Sequence, residues 1–123
     1  MDQSRCVDLL GMPYRLGGDG SDGTIDCIHL CYAVLDELGI KAPPFKPSWY
    51  EASKWSIARD MHCWGRRIDR PRLDGDIVLL AKERAFAAAW ESGILFINRT
   101  NNRVAWCPRN TFQNSLCFRS REI

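Results

Sequence analysis

The sequence predicts an α+β domain whose N-terminal helices pack on a small antiparallel sheet. Three observations lead there. Residues 27–38 place apolar side chains at helical spacing, with one wide face. Two compact apolar runs, Ile77-Val78-Leu79-Leu80 and Gly93-Ile94-Leu95-Phe96-Ile97, lie downstream and read as buried strands. Asn101-Asn102 then turns the chain into Val104-Ala105-Trp106-Cys107, which makes the last two runs a hairpin. Helices before strands is the order of an α+β domain. The chain of 123 residues is long enough for one such unit, so residues 1–123 read as a single domain.

Each element has its own signal. Residues 4–10 predict a short helix that ends before Gly11. Pro13 and the glycines at 17, 18, 20 and 23 mark a long loop. The next helix runs from Cys27 to Leu38, with Asp26 as its N-cap and Gly39 as its stop. Three prolines in Ala42-Pro43-Pro44-Phe45-Lys46-Pro47 make an extended connector. Residues 48–60 predict a second amphipathic helix with Trp49, Tyr50 and Trp55. Asp74-Gly75-Asp76 introduces the first strand, and the alanine-rich stretch 81–90 reads as a helical turn or a loop insertion. A last short strand is expected near Ser115–Phe118.

Composition narrows the function. Hydrophobic residues make up 46% and charged residues 26%, a globular balance that argues against disorder. A net charge of +2 is too small to imply nucleic acid, so Arg66, Arg67, Arg70 and Arg72 read as a solvated basic loop. No apolar run approaches the roughly 18 residues that a membrane span needs. Met1-Asp2-Gln3-Ser4-Arg5 lacks signal-peptide architecture, so synthesis without export is expected. The six cysteines are irregularly spaced, and without a secretory signal they read mainly as small hydrophobes.

Cys27 is the exception. A glycine-rich loop delivers it to the first turn of a buried helix, where the dipole and free amide groups stabilise a thiolate. A nucleophilic thiol also needs a base. The sequence holds two histidines. His29 lies two residues past Cys27, where helical side chains do not face each other. His62, in a loop before the strands, could fold back as a relocated base.

Gly11-x-Pro13-Tyr14-x-x-Gly17-Gly18, Asp26-Cys27-x-x-Leu30, Leu35-x-x-Leu38-Gly39-Ile40 and Leu73-Asp74-Gly75-Asp76-Ile77-Val78-Leu79 stand in register over residues 5–106. Together they resemble the NlpC-type cell-wall cysteine peptidases, a papain-like family. The resemblance implies a papain-like fold and cleavage of γ-D-glutamyl-diaminopimelate bonds in peptidoglycan stem peptides, with no cofactor. It implies Cys27 as nucleophile and Tyr14 beside it as an orienting or oxyanion group, with the Cys27 amide as second donor. It also places a histidine where this chain has Glu91, in Trp90-Glu91-Ser92-Gly93-Ile94, and a polar partner where it has Trp106. A carboxylate facing the thiol would raise its pKa rather than lower it.

Three readings stay open on the sequence. The first is a degenerate NlpC-type domain that has lost its catalytic histidine and serves as a structural or binding module. Its compact form resembles the small wall-peptidase proteins of phage tail modules, which implies tail or baseplate proteins as partners and a place in the virion. The second is an active endopeptidase or amidase on stem peptides, using Cys27 with His62. The third is a zinc-stabilised interaction domain, in which Cys27 and Cys31 join His62 and Cys63.

Overall fold

The computed structural model describes residues 8–43, 49, 54–80, 85–112 and 115–121. The chain is α+β, as expected. Two helices, α1 (Cys27–Glu37) and α2 (Lys54–Trp64), lie on one face of an antiparallel sheet. Its strands are β1 (Gly65–Ile68), β2 (Ile77–Leu80), β3 (Ala85–Trp90), β4 (Gly93–Asn98), β5 (Arg103–Pro108) and β6 (Leu116–Ser120). Their order is β1-β6-β2-β3-β4-β5, a meander of β2 to β5 extended on one side by β6 and β1.

The α1 helix forms where the sequence places it because both ends are capped by local chemistry. The Asp26 carboxylate accepts the His29 N–H at 2.7 Å, satisfying one free donor of the first turn. At the other end Gly39 takes φ +72, and the Gly39 and Ile40 amides donate back to Asp36 and Leu35 in a Schellman closure. The buried stripe Ile28, Leu30, Cys31, Val34 and Leu35 then packs on β3 and β4. The Trp90 indole N–H donates to Glu37 at 2.9 Å and pins the far end of the helix to the sheet.

Apolar residues alternate across the sheet into two clusters. Ile77, Leu79, Phe86, Ala88, Trp90, Leu95, Ile97 and Val104 meet the helices. Val78, Leu80, Ala85, Ala87, Ile94 and Cys117 pack on the opposite face beneath Ile68, Phe96, Cys107 and Phe112. Asp76 fastens the entry to β2. Its fully buried carboxylate accepts the Arg72 and Leu73 amides and a bidentate Arg119 guanidinium at 2.8 and 2.9 Å.

Four expectations need correction or extension. The alanine-rich stretch 81–90 holds no helical turn among its described residues, because Ala85–Trp90 is strand β3, buried on both faces. The second helix is present over 54–60 as expected but continues to Trp64, while residues 48 and 50–53 lie outside the described residues. A strand not expected at all, β1, follows it directly and pairs with β6. Asp8 and Leu9 are helical, while the rest of the 4–10 helix and connector residues 44–47 fall mainly or wholly outside the described residues. No helix among the described residues is long and apolar enough to cross a membrane.

Candidate active site around Cys27

Cys27 occupies the first position of α1, and the loop before it is held in place from two sides. The Gly11 and Tyr14 amides donate to Val104 and Asn102 at 2.8 Å, so residues 11–14 run along the free edge of β5. The second oxygen of Asp26 accepts the Gly17 N–H at 3.1 Å, and its first oxygen also meets His29 Nδ1 at 2.8 Å. One buried carboxylate thus ties loop, helix start and imidazole together. His29 Nδ1 is held by Asp26.

The half-buried Cys27 side chain packs against both apolar clusters at the start of β3. The Phe86 backbone N–H donates toward its sulfur. Burial pushes the thiol above its ordinary pKa and the Asp26 carboxylate adds to this. The Phe86 N–H, the Arg99 guanidinium and the Cys27 N–H pull the other way without cancelling it. Desolvation thus outweighs the amide donors and Arg99 at this thiol, against the direction expected of a helix start. Tyr14 stands beside it, its phenol pushed up by burial and by the Cys27 charge. Arg99, at the tip of the β4–β5 hairpin, lies 5.9 Å from the Tyr14 ring centroid.

Among the described residues, neither Glu91 nor His62 joins this group. Glu91 occupies the exposed two-residue turn after β3, five residues beyond Phe86, about 17 Å along an extended strand. It does not face Cys27, so the expected charge repulsion from Glu91 does not arise. His62 sits in the last turn of α2 rather than in a loop, with its ring edge-on to Phe118 at 5.1 Å. Phe118 belongs to β6, two strands from β3, or roughly 10 Å across the sheet. On the face beneath α1, Ile97 pairs with Val104, and both share one buried apolar cluster with Phe86. Trp106, at the expected position of a polar partner, covers Gly93 and donates its indole N–H to the Trp90 carbonyl.

The zinc arrangement is also not assembled. Cys31 is buried under α1, whereas Cys63 is exposed on α2 beside the outward-lying His62. Among the described residues no three His, Cys, Asp or Glu side chains cluster as metal ligands would.

Sequence reasoning missed Arg99 and the Phe86 amide. Arg99 had only a turn signal, and its proximity to Cys27 follows from the hairpin meeting the N-terminal loop at Pro13–Arg103. No protein-family model matches the chain, and no curated protein shows significant similarity to it.

Proposed function

We propose that this chain is a papain-like, NlpC-type domain that keeps the frame of a thiol nucleophile without its base. Its role in this reading is binding or structural, in an assembly such as a phage tail or baseplate. The order of parts supports the reading: a glycine-rich loop, a cysteine opening a buried helix, a tyrosine at its side, and an antiparallel sheet beneath. The observation that carries it is the fate of the two histidines. One is held by Asp26 and the other lies over Phe118, while Cys27 meets the Phe86 amide and the apolar core. A positioned general base contributes about a hundred- to ten-thousand-fold to such a reaction, and a protonated thiol lacks the nucleophile itself. Tyr14 and Arg99 leave a hydrogen-bonding group and a cation at the mouth of the site, which suits holding a peptide rather than cutting it.

The experiment is incubation of the purified protein with stem peptides that contain the γ-D-glutamyl-diaminopimelate bond. The expected result is no cleavage above buffer, and the same for Cys27→Ser. Cleavage by the native chain that disappears in Cys27→Ser would overturn the proposal.

A further inference from the structure

The face of the sheet turned away from both helices carries a cleft of about 570 Å³, within the roughly 300–1,000 Å³ range of ligand pockets. Three guanidinium groups border it, those of Arg70, Arg72 and Arg109, over an apolar floor that includes Phe112. These residues come from separate segments, 69–72 before β2 and 109–112 after β5, and the fold brings them together.

Two of the arginines are fixed and electrically answered. Arg109 donates to the Gly93 and Arg72 carbonyls and to Asp74 at 2.6 Å, which fastens the end of β5 to the loop before β2. Arg72 grips both oxygens of Asp69 at 2.8 and 2.9 Å. Arg70 is exposed and makes no hydrogen bond or ion pair among the described residues. Among the described residues, the three lining arginines are set against Asp69 and Asp74, which leaves one positive charge unanswered at the apolar-floored cleft. Ser115 adds a hydroxyl to the wall.

We propose that this cleft binds a peptide segment through a carboxylate, which Arg70 takes as a forked pair of charge-assisted hydrogen bonds while an apolar neighbour rests on Phe112. The charge account favours a peptide over a nucleic acid. A phosphate backbone, with one charge per about 1.7 Å of duplex, would meet Asp69 as well as Arg70, whereas one carboxylate matches Arg70, the lining arginine without a partner among the described residues. The cleft lies across the sheet from Cys27, so the inference is independent of whether that thiol is active.

The test is titration of the full chain with the acetylated, amidated tripeptide Glu-Phe-Glu, read by calorimetry and by amide chemical shifts. Its Gln-Phe-Gln counterpart, inorganic phosphate and an oligothymidine are run beside it. We expect the acidic peptide to bind with affinity that falls as salt rises, and to shift the Phe112 and Ser115 amides. The Gln peptide and the Arg70→Gln protein should each lose about tenfold or more. Arg70→Gln removes an exposed side chain without described bonds, so its fold is preserved, and Arg59→Gln, exposed on α2, controls for a charge lost elsewhere. Equal binding of the Glu and Gln peptides would overturn the inference, as would unchanged affinity in Arg70→Gln. Tighter binding of oligothymidine or phosphate than of the peptide would replace it with a bare anion site. None of these outcomes depends on stem-peptide cleavage.

Discussion

Among the described residues, Asp26 and Asp76 are the buried carboxylates. Both are fully buried, and each fastens a loop to the element it precedes. Asp26 accepts from donors on both oxygens: the His29 amide and ring on one, the Gly17 amide on the other. An amide side chain must turn its NH₂ toward one of those donors. Asp26→Asn is therefore expected to lose about 2 kcal/mol of stability in urea unfolding, more than an exposed cap substitution would cost. Stability within about 0.5 kcal/mol of the native chain would show that the buried carboxylate is not what holds the loop. The sequence disclosed Asp26 as a cap and Cys27 as the residue after it. It did not disclose the environment of the sulfur, because desolvation and the Phe86 amide depend on a strand more than fifty residues away.

At the scale of elements, what was legible was whatever local chemistry determines. Helix α1 has a cap at each end and one apolar stripe, and its limits could be read nearly to the residue. Strand β2 and the β4–β5 hairpin were legible for similar reasons. Strand β3 was not, since alanine has little intrinsic preference for strands. Its alanines are explained by crowding: Ala88 lies under α1 while Ala85 and Ala87 fill the opposite cluster. Strand β1 was hidden because its Arg66 and Arg67 point to solvent at the edge of the sheet, where charge protects an unpaired strand. The β3–β4 turn holds a testable strain. Glu91 and Ser92 both have left-handed backbone, φ +51 and +61, the conformation of a type I′ turn that favours Asn-Gly. Ser92→Gly should raise stability by about 1 kcal/mol, seen as a higher melting temperature. An unchanged or lower value would mean that the Ser92 side chain makes up for its backbone.

Over the whole molecule, the buried thiols couple stability to alkaline pH. Burial, with Asp76 and Asp69 nearby, pushes Cys117 up to about 11 from an ordinary value near 9. The native chain then keeps a proton that the unfolded chain loses, so the stability present below pH 9 falls as pH rises toward 11. Cys31 is shifted in the same direction by its own burial. The urea midpoint should drop between pH 8 and pH 10.5, with Cys117 contributing on the order of 2 kcal/mol and Cys117→Ala showing a shallower fall. A flat profile in the native protein would show that Cys117 is hydrated. The same burial governs Cys27, and it bears on the central claim that the fold presents a thiol without a base. The most direct measurement is the rate of Cys27 alkylation by iodoacetamide from pH 5 to 10, resolved peptide by peptide so that exposed Cys63 is read separately. We expect slow reaction at neutral pH and a single rise in the alkaline range, above that of a free cysteine, unchanged in His29→Ala and His62→Ala. Fast alkylation at pH 5–6 that is lost in either histidine variant would reveal a thiolate–imidazolium pair and contradict it.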